Sequence, residues 1–206
     1  MLEVKTHRSP TTHLILDAAS DLFFHHGYGN VSMDWVASAA GTTKVTVYQH
    51  FESKEELLLA CLQHRLVHRE ATLDERFAGR GESPACVLDL FDWLEASLKK
   101  NKFAGCAFTK TVNEMSEVLP EVRRIAQKAK RLLRERMISL AAASGLQDAE
   151  ELGSELAVLL EGAQVLSLIE HSARPFRTAN HAAMKLLTLH GWNPTQEQMG
   201  VALEKY

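Results

Sequence analysis

The chain of 206 residues lacks several features that would place it in a well-defined class. It has three cysteines, Cys61, Cys86 and Cys106, which are widely spaced and form no C-x-x-C pair. This odd, scattered set favours reduced thiols in a cytoplasm and predicts neither a structural zinc site nor a metal cofactor. No apolar run reaches the roughly 20 residues that a membrane span needs. The first ten residues lack the apolar core of a signal peptide, so we expect neither export nor a membrane partner.

Positive charge is also scarce. The net charge is −3, and residues 1–56 contain four lysines and arginines against seven aspartates and glutamates. Bulk basicity therefore does not predict a nucleic-acid binder, and a DNA-binding surface must gather a few cations on one face. The sequence also lacks G-x-S-x-G, a glycine-rich nucleotide loop and H-E-x-x-H. We therefore predict no enzyme, although an all-α enzyme with dispersed catalytic residues stays open.

Strand signals are nearly absent, whereas apolar residues recur at helical spacing along the whole chain. This pattern predicts an all-α protein of nine or ten helices. The first helix covers about residues 12–26, with Gly27 at its end. Its apolar stripe consists of Ile15, Ala18, Ala19, Leu22 and Phe23. Two short helices follow near residues 33–40 and 43–49, and the side chain of Thr42 or Thr43 caps the second of them.

A long fourth helix is predicted from about residue 54 to 77, because Ser53 and Glu56 have the spacing of a capping box. Residues 78–84, with the sequence AGRGESP, form the clearest linker. Further helices are predicted near residues 85–101, 105–117, 121–144, 149–172 and 177–190.

The boundaries of the last helices rest on local signals. Asp148 and Glu151 are interpreted as a second capping pair, at the start of the helix near 149–172. Pro175 is interpreted as a break in the chain, and Asn193 and Pro194 as the start of a short tail helix.

Residues 33–50 carry the most specific pattern. A tight crossing of two short helices needs a small residue in the first helix, a turn residue that tolerates positive φ, and an apolar residue in the second. Ala37, Gly41 and Val47 fill these places. Val36 and Ala40 complete the predicted buried side. The exposed face of the second helix is predicted to carry Thr43, Lys44, Thr46 and Gln49, which are able to reach base edges or phosphates. Taken alone, the pattern also fits a helical hairpin in a bundle.

The longer run GYGNVSMDWVASAAGTTKVTVYQHFESKEELLLACL resembles the DNA-binding signature of the tetracycline-repressor (TetR) family. The resemblance covers about residues 10–62. The matching positions are Gly27-Tyr28, Ser32, Ala40-Gly41, Thr46 to Tyr48, Phe51, Ser53 to Glu55, and Leu57. It implies an N-terminal three-helix helix-turn-helix DNA-binding domain, followed by a C-terminal helical domain for ligand binding and dimerisation. We place the domain boundary after residue 53, so that residues 1–53 form the DNA-binding domain and residues 54–206 form the ligand-binding and dimerisation domain.

The resemblance also implies which residues contact DNA. Ser32, Tyr48 and His50 resemble phosphate contacts of the family, Lys54 resembles the lysine that anchors the DNA backbone near the fourth helix, and Thr43 resembles a phosphate or base contact. Lys44, Val45 and Thr46 stand where base edges are read, and Thr42 is a further candidate DNA contact. The family often has Gly, Ala or Pro where Val45 stands. A valine could pack on a thymine methyl or could narrow the choice of operator. Phe51 is expected in the core.

Residues 103–171 resemble, more loosely, one group of C-terminal domains in the family. The matches are Gly105-Cys106, Glu114, Pro120 to Arg123, and Leu160 to Ala163. The resemblance implies a small-ligand pocket, and an apolar cleft with a few polar groups suits that role. The candidate ligand-binding residues are Trp93, Phe103, Phe108, Thr111, Met115, Gln164 and Leu168. For any single one of them, a place in the ordinary core is the simpler interpretation.

Two further clusters are interpreted as structural. Glu114, Glu161 and His171 lie on different predicted helices without metal-ligand spacing, which favours surface or capping roles. The basic residues of the helix near 121–144 are Arg123, Arg124, Lys128, Lys130, Arg131, Arg134 and Arg136. Their interpretation as a solvated face, partnered by Glu121 and Glu135, is preferred to a second nucleic-acid surface.

The function implied by the resemblance is a ligand-responsive transcriptional regulator. It would act as a repressor that binds a near-palindromic double-stranded DNA operator and is released by a small-molecule effector. The helices near 149–172 and 177–190 would form the homodimer interface. An activator of the same family remains an alternative. A ligand-binding helical protein with a degenerate helix-turn-helix is another, which the acidity of residues 1–56 favours slightly.

Overall fold

The structure of the chain is a computed structural model that describes residues 9–78 and 83–194. Within these ranges the fold is all-α, as predicted, and contains nine helices. They are α1 (Pro10–His26), α2 (Met33–Ala39), α3 (Lys44–His50), α4 (Lys54–Phe77), α5 (Ala85–Lys100), α6 (Ala107–Met115), α7 (Glu121–Ala143), α8 (Ala149–Glu170) and α9 (Arg174–Leu189).

The ends of α1 follow from its sequence. Ser9 caps the N-terminus, where its hydroxyl accepts a hydrogen bond from the Thr12 amide, and Pro10 takes a position at which no amide hydrogen is needed. Gly27 ends the helix with a φ of +80°, and its amide donates to the Phe23 carbonyl at 3.0 Å. A glycine favours this backbone conformation because it has no Cβ.

The described residues divide into two compact units. The first comprises residues 9–72 and 107–129, which include α1, α2, α3, α6, most of α4 and the start of α7. Its largest fully buried side chains are Ile15, Leu16, Leu57, Leu58 and Phe108. Ile15, Ala19 and Phe23 of the predicted α1 stripe are buried, while its members Ala18 and Leu22 are partly buried. Leu16 and Phe24, which the stripe did not include, are also buried.

The second unit comprises residues 73–78, 83–106 and 130–194. Its core combines side chains from α5, α7, α8 and α9, among them Phe91, Met137, Leu152 and Phe176. Helices α7 and α8 approach closely at Gly153. A methyl group on Gly153 would overlap Cγ1 of Ile138 and would lie 2.9 Å from the Ile138 backbone nitrogen.

Several helix boundaries differ from the prediction. Asp148 lies at the start of α8, but it has a left-handed backbone with φ +48° and its side chain forms no capping hydrogen bond. The predicted capping pair with Glu151 is therefore wrong. Pro175 does not break the chain either, because it lies in the first turn of α9, where a proline is well tolerated.

Helix α6 begins at Ala107 rather than near residue 105, since Gly105 has a φ of +82°. Residues 79–82 of the predicted linker and the predicted tail helix after Pro194 lie outside the described residues. The domain boundary at residue 53 stays a prediction, because compactness does not test which segments fold or function independently.

Candidate nucleic-acid interface

Helices α2 and α3 are both capped at their N-termini by hydroxyl side chains. The Ser32 hydroxyl accepts a hydrogen bond from the Trp35 amide at 3.1 Å, and the Thr43 hydroxyl accepts one from the Thr46 amide at 3.1 Å. Thr43, and not Thr42, is therefore the cap of α3. The Thr42 amide instead closes the turn by donating to the Ala37 carbonyl at 2.9 Å.

The turn between these helices has the geometry that the sequence predicted. Gly41 has a φ of +65°, and Val36, Ala37 and Val47 are buried, whereas Ala40, predicted on the buried side, is only partly buried. Val47 is the one buried residue of α3, so its neighbours on this short helix are available to a partner. Val45 is 67% exposed and Tyr48 is 45% exposed. The predicted helix-turn-helix, with an outward-facing second helix, is present in the first unit.

Lys44, the first residue of α3, forms an ion pair with Asp34 in the first turn of α2. The Lys44 ammonium donates to Oδ2 of Asp34 at 2.7 Å, and this contact raises the pKa of Lys44. Both side chains are exposed. Asp34 is not among the residues predicted for the interface, because an acidic residue in a first helical turn is already explained by the helix dipole.

Lys54, at the start of α4, contacts the loop before α2. Its ammonium donates to the Tyr28 carbonyl at 2.6 Å and lies 4.1 Å from the centre of the Tyr28 ring. Partial burial lowers the pKa of Lys54. The Tyr28 hydroxyl donates to Glu55 at 2.6 Å, which lowers the pKa of the Glu55 carboxyl, while burial and the same bond raise the pKa of Tyr28.

The N-terminus of α4 begins with the Ser53 side chain, as predicted, although the capping box is modified. The Ser53 hydroxyl accepts a hydrogen bond from the Glu56 amide at 3.0 Å. The Glu56 carboxylate accepts one from the Glu52 amide at 2.6 Å instead of returning to Ser53. At the end of α3, a ring nitrogen of His50 lies 3.0 Å from the Thr12 hydroxyl. Phe51 is buried, which confirms its predicted place in the core.

Helix α6 holds the C-terminal end of α1 and the following loop, a role that the sequence did not reveal. The Lys110 ammonium donates to the Phe24 carbonyl at 2.7 Å, and the Glu114 carboxylate accepts from the Tyr28 amide at 2.8 Å. A surface hollow of about 490 Å³ lies here, and its lining residues are His25, His26, Gly27, Tyr28, Gly29, Asn30, Lys110, Glu114 and Met115. A local sequence pattern cannot predict contacts between residues that are 86 positions apart in the chain.

The candidate ligand-binding residues fall in both units. Phe108, Thr111 and Met115 belong to the first unit; Phe108 and Met115 are buried, and the Thr111 hydroxyl donates to the Ala107 carbonyl. The members in the second unit are Trp93, Phe103, Gln164 and Leu168. Gln164 is 6% exposed, whereas Leu168 is exposed. Their role in binding a ligand stays a prediction.

Several other charged residues have partners within their own unit. Lys130 lies 2.5 and 2.7 Å from the two carboxylate oxygens of Glu161, and its ammonium also donates to the Cys106 sulfur at 3.4 Å. The His171 ring packs edge-on against Phe103 at 5.1 Å. In the parts of the chain that the structure describes, no group of three or more His, Cys, Asp or Glu side chains could hold a metal ion.

The basic residues of α7 have a more varied set of partners than expected. Arg136 pairs with Asp74, Arg123 with Glu117 at 3.5 Å, and Arg124 with Glu121 at 3.7 Å.

Helix α8 is, among residues 9–78 and 83–194, the one helix long and apolar enough to cross a membrane by length and composition. The buried side of α8 packs in the core of the second unit, and a core helix satisfies the same criteria.

Family models match most of this chain. The model for bacterial regulatory proteins of the tetR family matches residues 15–61. The model for the C-terminal domain of LmrA/YxaF-like transcriptional regulators matches residues 85–182. The first match covers the helix-turn-helix, and the second covers α5, α6, α7, α8 and half of α9.

Individual relatives agree with these models. The HTH-type transcriptional activator FasR of Mycolicibacterium smegmatis is 48% identical over 52 residues, which are 25% of this chain and 24% of the relative. An HTH-type transcriptional regulator in the lacX 3' region of Lactococcus lactis subsp. lactis is 28% identical over 116 residues, 55% of this chain and 59% of the relative. The chain thus matches less than two thirds of the length of these relatives.

A solved structure extends the similarity to the fold of both units. The regulatory protein TetR from Rhodobacter sphaeroides has a TM-score of 0.75 and 21% sequence identity to this chain. The alignment covers 86% of this chain and 99% of that protein.

Proposed function

The chain belongs to the TetR family of bacterial regulatory proteins, and on that premise we propose that it is a repressor that binds a near-palindromic DNA operator as a homodimer. We propose further that a small-molecule effector releases it from DNA and that it acts in the cytoplasm. The observation that carries the proposal is the outward face of α3, where Lys44, Val45 and Tyr48 are exposed above a buried Val47.

The arrangement of this face supports two separate roles in DNA binding, namely contacts to base edges and contacts to phosphates. Val45 and Lys44 lie at the N-terminal end of α3, which is the end that reads base edges when a recognition helix enters the major groove. The capped N-termini of α2 and α3 carry the positive ends of their helix dipoles, which favours phosphate binding at Ser32 and Thr43. In a dimer, two such helices would enter successive major grooves, separated by roughly 34–36 Å.

An exposed apolar stripe on α8 supports the homodimer. Val158, Val165 and Ile169 lie on one face of the helix, and Val158 and Ile169 are more than 70% exposed. Gly162 lies on the same face, and apart from its own helix no atom of residues 9–78 and 83–194 is within 4 Å of where a Cβ would stand, so a second helix could approach closely there. An apolar face of this length is unusual on an isolated monomer. A second copy of the chain is the partner that a two-fold symmetric interface provides.

The dimer proposal is tested by placing a charge in this stripe. Val165→Glu buries two unpaired carboxylates in a symmetric interface, so we expect the dimer dissociation constant to rise by at least about a hundredfold. Val118→Glu is the matched control, because Val118 is exposed on the loop after α6 and should leave the dimer intact. Analytical ultracentrifugation measures both variants. An unchanged dimer for Val165→Glu would contradict the proposed interface.

We place the effector site in the second unit. There Gln164 is buried and Ser167 is fully buried, and the Ser167 hydroxyl has no hydrogen-bond partner among the described residues. Buried polar groups without a protein partner are suited to a polar ligand or to ordered water. Helices α4 and α7 each contribute residues to both units, and we propose that ligand binding affects DNA binding through them.

An activator is the second candidate function, because the relative FasR is named as an activator. That match covers only 52 residues, so it supports a similar mode of DNA binding more than a direction of regulation. A reporter gene under the operator separates the two: deletion of the regulator raises expression if it is a repressor and lowers it if it is an activator.

The first test of DNA binding is a salt-dependent titration of the full chain against the intergenic DNA beside its own gene and against DNA selected from a random duplex pool. We expect nanomolar binding to one sequence and affinity that falls steeply with salt. Binding that is weak and equal on all sequences would overturn the proposed function and would favour a degenerate helix-turn-helix.

A further inference from the structure

One carboxylate lies in the middle of the proposed DNA-binding face. Asp34 is in the first turn of α2, and its Oδ2 atom accepts a hydrogen bond from the Lys44 ammonium at 2.7 Å. The Asp34 side chain is 66% exposed and the Lys44 side chain is 49% exposed, so neither charge is shielded by burial. An exposed ion pair of this kind contributes little to stability. Its position offers a functional explanation instead.

The lysines of this face are both engaged by the protein. Lys54 is held by the Tyr28 carbonyl and ring, and Lys44 is held by Asp34. A free lysine on a recognition helix would bind phosphates of any sequence, and such contacts supply most non-specific affinity for DNA. A carboxylate paired with the lysine competes with the phosphates for the ammonium, so the lysine contributes less to non-specific binding.

An operator can satisfy both charges at once, whereas the DNA backbone cannot. In the major groove, a lysine binds the O6 and N7 acceptors of guanine, and an aspartate accepts a hydrogen bond from the N4 amino group of cytosine. A DNA sequence that presents these groups allows Asp34 and Lys44 both to bind bases while their ion pair stays intact. On any other base sequence, Lys44 can bind DNA only by separating from Asp34, and the cost of that separation discriminates against such sequences.

We propose that Asp34 is a specificity-determining residue, which holds the Lys44 ammonium on the protein and withholds it from the phosphates of random DNA. The inference rests on the proposed DNA-binding function. Asp34 acts here through Lys44, so its effect on non-specific binding must disappear when the lysine is absent. This dependence separates it from a general effect of negative charge.

The test compares the affinities of six full-length proteins for the selected operator and for a random duplex over a range of salt concentrations. The proteins are the wild type, Asp34→Asn, Asp34→Glu, Lys44→Met, the double variant of Asp34→Asn with Lys44→Met, and Asp17→Asn as a matched control. Asp17 is an exposed carboxylate on α1, outside the proposed interface. Circular dichroism checks that each variant is folded.

We expect Asp34→Asn to release one additional cation per recognition helix to the phosphates. The slope of log affinity against log salt for random DNA then steepens by about 0.9 per helix, and affinity near 0.1 M salt rises about eightfold per helix. The operator preference falls by a similar factor. Asp34→Asn should have no such effect in the Lys44→Met background. Asp17→Asn should match the wild type, and Asp34→Glu, which retains the charge, should retain the wild-type slope.

Two results would overturn this inference but not the proposed function. One is an unchanged salt slope for Asp34→Asn, and the other is a gain in affinity from Asp34→Asn that is equally large in the Lys44→Met background. In both cases the wild type still prefers its operator. If the wild type itself does not discriminate the selected operator from random DNA, the proposed function fails, and this inference falls with it.

Discussion

Replacement of Gly153 by alanine tests the close contact between α7 and α8 in the second unit. The new methyl group would overlap a side-chain carbon of Ile138 and would lie 2.9 Å from its backbone nitrogen and 3.0 Å from its Cα. The side chain can rotate away, but the backbone of α7 can move only if the helices separate. Overpacking of this kind costs up to about 3 kcal/mol. The higher helix propensity of alanine offsets about 1 kcal/mol, which leaves a net loss of about 2 kcal/mol.

Urea unfolding at a fixed protein concentration measures this loss, and thermal unfolding should show a fall of about 4–8 °C in the melting temperature. Ser154→Ala is the matched control in the next position of α8. It improves helix propensity and removes an exposed bond from the Ser154 hydroxyl to the Glu150 carbonyl, a bond that adds little to helix stability, so it should change the stability by no more than about 0.5 kcal/mol. Ile138→Ala removes one of the overlapping carbons, so the double variant should recover part of the loss caused by Gly153→Ala. A Gly153→Ala protein as stable as the wild type would refute the close approach of the two helices.

Other predictions follow from the contacts around the helix-turn-helix. Lys44→Ala should change the preferred operator sequence, whereas Tyr48→Phe should weaken all sequences about equally; equal losses for both on matched and mismatched operators would contradict these roles. Hydrogen bonding to Tyr28 lowers the pKa of Glu55, so the stabilisation from this bond is present near neutral pH and is lost as the carboxylate becomes protonated in acid. Tyr28→Phe should therefore lower the urea midpoint at pH 7, and the difference from the wild type should shrink as the pH falls below about 4.3, the ordinary pKa of a glutamate, and through the lower pKa of the folded state. Lys110→Met leaves the Phe24 carbonyl without its ammonium donor and should cost about 1–2 kcal/mol in urea unfolding, while Lys110→Arg should retain most of the stability.

The sequence predicted the helix-turn-helix well because its determinants are local. The caps at Ser32 and Thr43, the turn at Gly41 and the buried Val47 depend on residues only a few positions apart. Local signals gave a wrong prediction at Asp148. Aspartate is a common helix N-cap residue, as serine and threonine are, but Asp148 has a left-handed backbone and its side chain forms no capping hydrogen bond. There the chain between α7 and α8 is also tied to the end of α9, through the bond from the Gln147 amide to the His190 carbonyl. That contact depends on tertiary structure.

The charged part of the candidate site was harder to predict. The partners of Lys54 are 26 residues away in the chain, and those of Lys110 and Glu114 are 86 away, so no periodic pattern links them. The Asp34–Lys44 pair is closer, at a separation of ten residues, but it joins two helices across a turn. Its prediction requires the crossing geometry of α2 and α3, which sequence spacing does not give.

Helix α3 buries few of its side chains, and this affects how the DNA preference of such a regulator can evolve. Val47 is its one buried residue, and the Thr43 cap and the turn before it are made largely by the backbone and by short side chains. Most substitutions on the outward face therefore change what the helix reads without creating a cavity or exposing the core. After gene duplication, one copy could acquire a new set of target genes through a few surface changes while it retains the ancestral stability.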